Sequence, residues 1–267
     1  MLAIVFPQID PVLLHIAGPI SIRWYALAYF IGIISGAWLL HIFNKQDKRE
    51  LFSKNIIEDI TFYSIFGIIL GGRIGHVMIY DHDDFLDDPI MLFKIWRGGM
   101  SFHGGLLGLV ISLYLISKKH QIEFLYLTDL IACVAPIGIF FGRLANFINA
   151  ELYGRPTNLE WGMIFPNVDN IPRHPSQIYE ASMEGFLLLI IMLFLRFKTN
   201  YKMQLGALSG AFMTLYGIFR FVAEYYREPD YHIGFIIGNL TVGQLLSLPI
   251  FIVGLSLTLR AHKNTLQ

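Results

Sequence analysis

A polar segment that closes a long apolar stretch carries the residue types most suited to chemistry in this sequence. Residues 142–155 read Gly-Arg-Leu-Ala-Asn-Phe-Ile-Asn-Ala-Glu-Leu-Tyr-Gly-Arg, which places Arg143, Asn146 and Glu151 at the end of a mainly apolar run. An arginine in such a run costs roughly 2.5–3.5 kcal/mol to insert into a membrane. A charge kept there usually binds an anion, a proton or a polar headgroup, although an arginine can also extend its guanidinium to the membrane surface.

A second set of polar residues lies on one face of a helix predicted at 205–226. Its members are spaced by four, four and three residues: Tyr216, Arg220, Glu224 and Arg227. At 100° per residue they fall within about 80° of one another and form a stripe. Glu224 and Arg227 could instead be a local ion pair three residues apart, so the prediction of a role beyond pairing is strongest for Arg220.

Further candidates come from other predicted helices. His103 lies in Phe102-His103-Gly104-Gly105, where the glycines let a substrate approach its ring. A neutral imidazole is suited to act as a base near pH 7. Tyr25 follows Trp24 and could either line the same site or anchor the chain at the membrane surface. Three more polar residues open the fifth predicted helix: Gln177, Tyr179 and Glu180.

The chemistry of two buried arginines favours a phosphate ligand. A guanidinium binds phosphate through two parallel hydrogen bonds, and a phosphate at membrane depth most naturally belongs to a phospholipid headgroup. The residues therefore predict a phospholipid-binding cavity with a candidate base beside it. A lipid-using transferase, a lipid flippase and an anion transporter all remain compatible with that cavity.

The composition indicates that these residues belong to a membrane protein. The chain has 267 residues, of which 55% are hydrophobic and 15% are charged, whereas a soluble domain has roughly 25% charged residues. No basic tract indicates nucleic acid, and Cys133, as the only cysteine, allows no disulfide framework. The nine histidines show no metal-ligand spacing, so neither a metal nor another cofactor is predicted.

The apolar runs predict an all-α, polytopic membrane protein that forms one transmembrane domain over residues 1–267. Seven spans are predicted, at about 21–43, 56–80, 100–117, 125–148, 178–196, 205–226 and 238–259. An amphipathic outer arm is expected at 1–20, and the Pro-, Asn- and Gly-rich segment at about 152–177 is expected to form a small ordered head on the outer face.

Loop charges orient this bundle. In a seven-span arrangement eleven basic residues fall on one side: Lys45, Lys48, Arg49, Lys54, Lys118, Lys119, Arg196, Lys198, Lys202, Arg260 and Lys263. That side is predicted to be cytoplasmic, with the N-terminus outside and the C-terminus inside. The candidate residues named above then gather near the outer leaflet.

These motifs resemble those of bacterial prolipoprotein diacylglyceryl transferases. The resemblance rests on several segments in order: 22–25, 102–105, 142–151, 173–180, 216–220 and 224–230. It extends over about residues 15–260. One departure is Ala145, which occupies a position where the family usually has glycine.

The resemblance implies an enzyme that moves the diacylglyceryl group of phosphatidylglycerol to the thiol of a lipobox cysteine in a preprolipoprotein. It implies roles in activity for His103, Arg143, Asn146, Glu151, Tyr216 and Arg220, and supporting roles in binding phosphatidylglycerol for Tyr25, Glu224 and Arg227. Arg143 and Arg220 would hold the phosphate, Asn146 and Glu151 would orient the arginines, and His103 would either take the thiol proton or orient the site. The implied location is the bacterial inner membrane with the site toward the periplasmic leaflet, and a monomer is expected.

Overall fold

The computed structural model describes residues 4–7, 9–17, 20–46, 54–94, 99–229 and 234–265, most of which are helical. Five helices in these ranges are long and apolar enough to cross a membrane: Trp24–Gln46, Ile56–Tyr80, Phe124–Ile148, Ser176–Lys198 and Val242–Lys263. A shorter apolar helix spans Ala207–Ala223. The prediction of a helical, multi-pass membrane protein is confirmed at this level. The third predicted span, at 100–117, corresponds to the helix Phe102–His120, which is not one of these five long apolar helices. The count of seven spans stays a prediction.

Parts of the predicted segments lie outside the described residues. Lys48 and Arg49 of the predicted cytoplasmic loop, Pro19 of the outer arm and Asp230 of the last motif are among them. The described chain falls into two compact units. Residues 1–36 and 129–267 form the first, and residues 37–128 form the second.

The first unit contains most of the secondary structure. Its elements are β1 (Ile4–Val5), β2 (Val12–Ala17), β3 (Ile20–Arg23), the first half of α1 (Trp24–Gln46), most of α5 (Phe124–Ile148), β4 (Met163–Ile164), α6 (Ser176–Glu180), a π-helical turn (Ala181–Leu187), α7 (Leu188–Lys198), a 3-10 turn (Tyr201–Met203), α8 (Ala207–Ala223), β5 (Phe235–Ile237), β6 (Leu240–Thr241) and α9 (Val242–Thr265).

Three short two-stranded sheets are the feature that the all-α prediction missed. β1 pairs in parallel with β4, β2 pairs with β3 in an antiparallel hairpin, and β5 pairs with β6. The predicted amphipathic arm therefore contains β1 and the first strand of the hairpin, β2. β-Branched residues such as Val12 and Ile22 favour strands.

The second unit is built on close packing of two helices. It contains the end of α1, α2 (Lys54–Tyr80), α3 (His82–Asp87), a 3-10 turn (Pro89–Phe93), α4 (Phe102–His120) and the start of α5. Gly67, Gly71 and Gly75 of α2 face Gly104 and Gly108 of α4 so closely that an added Cβ at Gly75 would lie 2.8 Å from the Gly104 Cα. Glycines at four-residue intervals allow such backbone approach between membrane helices.

A buried arginine in this unit has a structural role. Arg73 donates hydrogen bonds to the carbonyl oxygens of Met91, Leu92 and Gly99, at 2.7, 3.2 and 3.3 Å. These bonds satisfy carbonyl groups at the end of the 3-10 turn and in the segment before α4, which would otherwise be costly to bury. They tie the C-terminal half of α2 to both segments.

The start of α8 is fixed by a carboxylate from another helix. Asp129 of α5 is buried and accepts hydrogen bonds from the backbone N–H groups of Gly206 and Ser209, at 2.8 and 2.7 Å. The Ser209 hydroxyl donates to the same carboxylate at 2.6 Å. Because a carboxylate stabilises the N-terminus of a helix, Asp129 sets the position from which α8 extends toward Arg220.

The close packing of α2 on α4 predicts that Gly71→Ala destabilises the protein by about 1–3 kcal/mol, because overpacking strains a tight contact. The new Cβ would meet the Gly104 carbonyl oxygen and lie 2.9 Å from the Gly108 Cα, both of which are backbone atoms. Thermal unfolding in detergent measures the effect. The matched control is Gly138→Ala in α5, where an added Cβ has nothing within 4 Å and should be neutral or slightly stabilising. Equal unfolding temperatures for both variants would contradict the close packing.

Candidate active site

Four helical elements of the first unit bring their charged residues together. Arg143 lies in the last two turns of α5, Glu180 ends α6, Glu184 lies in the π-helical turn, and Arg220 lies in the last turn of α8. Both glutamates are fully buried, whereas the side chains of Arg143 and Arg220 are mostly buried and remain 18% and 13% exposed. We call the group formed by these four residues with Glu224 and Arg227 the charge cluster.

Glu180 is the central anion of the charge cluster. Its Oε2 lies 2.9 Å from Arg143 Nε, and its Oε1 lies 2.9 Å from Arg220 Nη1. Arg227 Nη1 approaches the same Oε1 at 3.7 Å. One buried carboxylate therefore holds the two arginines that the sequence singled out, and it fixes α5 and α8 to α6.

Glu184 bridges the same two arginines at longer distances. Its Oε2 lies 3.4 Å from Arg143 Nη2, and its Oε1 lies 3.5 Å from Arg220 Nη1. The π-helical turn that carries Glu184 also brings Gly185 so close to Phe140 of α5 that an added Cβ would lie 2.6 Å from the Phe140 Cβ. Single π-helical turns occur frequently at functional sites.

The third anion is Glu224, which follows α8. Its Oε2 lies 2.6 Å from Arg220 Nη2, and its Oε1 accepts a hydrogen bond from the Thr241 hydroxyl at 3.0 Å. Glu224 therefore pairs with Arg220, four residues before it. Counted together, the charge cluster holds three arginines and three glutamates, so its formal charges cancel.

Sequence reasoning passed over Glu184 and noted Glu180 only as a polar residue at the start of a span. The sequence could have indicated both residues as a buried acidic pair, because two glutamates four residues apart lie on one face of a helix. Two acidic residues on one face inside an apolar span call for cationic partners. The structure supplies these partners from α5 and α8, which are far apart in sequence.

A second group of polar residues forms around Glu151. The Tyr25 hydroxyl donates to Glu151 Oε2 at 2.9 Å, and Asn146 Nδ2 donates to the Tyr25 hydroxyl and, at 3.4 Å, to the same Oε2. Asn149 Nδ2 donates to Glu151 Oε1 at 3.5 Å. The sequence predicted that Asn146 and Glu151 orient the arginines. In the described contacts Asn146 and Glu151 bond Tyr25 and each other, and their orienting role stays a prediction.

The backbone around Glu151 is strained. Ala150 and Leu152 have φ values of 54° and 55°, in the left-handed region that side chains rarely occupy. Two side chains of α6 hold this conformation: Gln177 Nε2 donates to the Glu151 carbonyl at 2.6 Å, and the Ser176 hydroxyl donates to the Leu152 carbonyl at 2.9 Å. Strain of this kind is maintained only where surrounding contacts enforce it and is concentrated at functional sites.

Tyr216 and His103 complete the predicted set. Tyr216 stacks on Phe212 of α8, with ring centroids 5.8 Å apart, and interacts electrostatically with Arg143 and Arg220.

His103 is exposed in the first turn of α4, where the Ser101 side chain caps the helix by accepting from Gly104 N–H. His103 belongs to the second unit, and its participation in the site stays a prediction. In the described residues no group of three or more His, Cys, Asp or Glu side chains could hold a metal ion.

Residues 152–177 contain their own buried contacts. Phe165 is fully buried against Phe6 and Tyr153. Arg173 pairs with Asp169 at 2.6 Å and with Glu228 at 3.1 Å, and the hydrogen bond from Arg173 holds the pKa of Asp169 below its usual range. Burial lowers the pKa of the neighbouring His174. Since Glu228 follows Arg227, the Arg173 pair joins this segment to the chain that leaves the charge cluster.

Comparison with known proteins assigns most of the chain to one family. Residues 11–260 match the family described as prolipoprotein diacylglyceryl transferase. A protein of Rickettsia rickettsii (strain Sheila Smith) is 50% identical over 249 residues, which cover 93% of this chain and 95% of the relative. A protein of Wolbachia pipientis subsp. Culex pipiens (strain wPip) is 46% identical over 255 residues, 95% of each chain. Both relatives are named phosphatidylglycerol–prolipoprotein diacylglyceryl transferase.

The charge balance predicts that Glu180→Gln destabilises the protein by about 3–5 kcal/mol, because removing one partner of a buried ion pair leaves an uncompensated charge. Unfolding of the purified protein in detergent measures the loss. Glu228→Gln is the matched control, since it removes the same charge from a partly exposed pair with Arg173 and should cost at most about 1 kcal/mol. Similar losses in the two variants would mean that burial of Glu180 has no special energetic weight.

Proposed function

This chain belongs to the prolipoprotein diacylglyceryl transferase family, and on that premise we propose that it transfers the diacylglyceryl group of phosphatidylglycerol to the lipobox cysteine of a preprolipoprotein. The reaction would form a thioether and release glycerol phosphate, as the first step of bacterial lipoprotein maturation. Two facts support the proposal together. The family match covers residues 11–260, and Arg143 and Arg220 converge on one buried carboxylate.

The transfer is a displacement at a glycerol carbon. The cysteine sulfur attacks the carbon that carries the phosphate ester, the carbon–oxygen bond breaks, and glycerol phosphate leaves with the bonding electrons. Negative charge grows on the phosphate as the bond breaks, so cationic donors placed there stabilise the transition state. Arginine stays protonated in such surroundings and binds phosphate through paired N–H groups. We assign this task to Arg143 and Arg220.

The remaining residues are assigned supporting tasks. Tyr25, Asn146 and Glu151 form one hydrogen-bonded group, which we place beside the lipid headgroup. Tyr216 would act next to the arginines. Glu224, which pairs with Arg220, would hold that arginine in position, and Glu224 and Arg227 would help bind phosphatidylglycerol. Cys133 is fully buried, and the attacking sulfur belongs to the preprolipoprotein, so Cys133 takes no part in the chemistry.

The proposal includes a membrane arrangement. Seven spans, with the N-terminus outside and the C-terminus inside, would place the charge cluster toward the outer leaflet of the inner membrane. The excess of lysine and arginine in loops on one side supports this orientation. The protein would act as a monomer, without a metal or other cofactor.

The cysteine thiol needs to lose its proton before it attacks. A free thiol has a pKa of about 8.5 and is a weak nucleophile when protonated. His103 would accept this proton directly or orient the cysteine. A cationic environment also favours the thiolate, so either task is compatible with the site residues.

A direct assay separates the transferase from the transporter and flippase that the residues alone allow. Purified protein is incubated with phosphatidylglycerol and a lipobox peptide, and thioether-linked product is detected by mass spectrometry. The transferase predicts product that depends on all three components. Lipid or ion flux in liposomes without any thioether product would favour the transporter or flippase.

We expect Arg143→Lys and Arg220→Lys each to lower the rate of diacylglyceryl transfer by about 100-fold or more, because lysine keeps the charge but loses the paired donors. The thioether assay measures the rate at saturating peptide. Arg260→Lys, at the exposed end of α9, is the control and should retain wild-type activity. Near-normal transfer from either site variant would count against the phosphate-binding assignment.

His103→Gln tests the proton acceptor. If His103 takes the thiol proton, transfer by the variant should be slow at neutral pH and should recover as pH rises toward the thiol pKa of about 8.5. Rates measured from pH 6 to pH 9 give the profile. A variant with full activity and the wild-type profile would remove His103 from this role, whereas a uniform loss at every pH would indicate orientation alone.

A further inference from the structure

The way in which Glu184 contacts the two site arginines resembles the way in which a phosphate would bind them. One carboxylate oxygen faces Arg143 Nη2 at 3.4 Å, and the other faces Arg220 Nη1 at 3.5 Å. A phosphate held by both guanidinium groups would likewise present one oxygen to each. Glu184 therefore occupies the bridging position between the two groups assigned to phosphate binding.

The distances separate Glu184 from the other bridging carboxylate. Glu180 approaches both arginines at 2.9 Å, and its Oε1 accepts a hydrogen bond from Arg220 Nη1 at the distance of a charge-assisted bond, about 2.7–2.9 Å. Each contact of Glu184 is about half an ångström longer, as 3.4 and 3.5 Å against 2.9 Å show. Glu180 is thus the anchor of the arginines, and Glu184 is their weaker partner.

The charge balance favours an exchange of one anion for another. Three glutamates already neutralise three arginines in the charge cluster. A phosphodiester brings one further negative charge, and an uncompensated charge in a buried site is costly. If one carboxylate leaves the arginines and takes up a proton as the phosphate arrives, the balance is kept.

We propose that Glu184 is an internal counter-ion that the phosphate of the lipid substrate replaces between Arg143 and Arg220. This inference rests on the proposed function, since it takes the anion to be that of phosphatidylglycerol. Glu180 keeps its contacts throughout and holds the arginines in register. The π-helical turn Ala181–Leu187 carries Glu184 but leaves Glu180 at the end of α6, so a local rearrangement of that turn can move one glutamate without the other.

The same exchange promotes product release. Glycerol phosphate is a monoester with a charge of about −1.5 to −2 at neutral pH, whereas the diester of the substrate carries about −1. The negative charge of the product is therefore larger than the single negative charge that the departing carboxylate removes. Glu184 then returns to the arginines and competes with the product for the same N–H groups.

Glu184→Gln tests this competition, because the amide keeps the size of the side chain and removes its charge. Glycerol phosphate should bind the variant about tenfold more tightly than the wild type, a typical size for coupling between two competing groups. The KM for phosphatidylglycerol should fall, and inhibition by glycerol phosphate should strengthen. Binding is measured by calorimetry and by the shift of the unfolding temperature, in detergent without lipid substrate.

Glu160→Gln is the matched control, because it removes the same charge at an exposed position in the 152–177 segment. Its affinity for glycerol phosphate and its KM should equal those of the wild type. Unchanged or weaker binding of glycerol phosphate by Glu184→Gln would overturn the proposal, as would an equal gain in the control.

Glu184→Asp covers the case in which Glu184→Gln fails to fold. The aspartate keeps the charge balance and withdraws the carboxylate from contacts that are already long. A smaller gain in affinity for glycerol phosphate is expected, and a loss would overturn the proposal.

The readouts separate this inference from the proposed function. Suppose that the wild type binds glycerol phosphate and Glu184→Gln binds it more tightly, but no thioether forms. The counter-ion proposal is then supported, and the proposed transferase activity is contradicted. If transfer by the wild type is normal and Glu184→Gln shows no tighter binding, the transferase stands and the counter-ion fails.

Discussion

The pairing of buried arginines with buried glutamates is the constraint on which the first unit of this protein depends. Burial of each ion is costly, and the cost is offset only where partners and geometry are complete. Glu180 supplies an anionic partner both to Arg143 of α5 and to Arg220 of α8. Asp129 fixes the other end of α8 through Gly206 and Ser209. The helix that carries Arg220 is therefore held at both ends by carboxylates from other elements.

The hydrogen-bonded group around Glu151 follows from the same need for complete partners. Glu151 sits between two residues with positive φ values, a conformation that the chain adopts only because Ser176 and Gln177 hold the adjacent carbonyl groups. Both of these residues belong to α6, which also carries Glu180. The element that anchors the arginines thus also fixes the backbone of Glu151, so the two polar groups keep a constant relation.

The sequence predicted the long helices well because an apolar run of membrane length is a signal that needs no partner. α5 was predicted at 125–148 and spans Phe124–Ile148. The last helix was predicted from 238 but begins at Val242, because β5 and β6 precede it. β1 pairs with β4, so that Ile4 lies opposite Met163. A local sequence pattern cannot predict a partner so far away in the sequence. The sequence singled out Arg143 and Arg220 because each is a charge in a mainly apolar run. The role of Glu184 could not be predicted, because its partners come from helices that are distant in sequence.

A neutral charge cluster has a consequence for selectivity. Arginines without internal anions would bind any phosphate strongly and would retain the charged product. Where glutamates already satisfy the guanidinium groups, a phosphate alone gains little by displacing one of them. The acyl chains of a membrane lipid add binding energy that a soluble phosphate lacks, and binding by remote groups can offset an unfavourable step at the reacting centre. Under the proposed exchange, transfer removes the acyl chains from the phosphate, so the same neutral cluster that admitted the lipid favours release of glycerol phosphate.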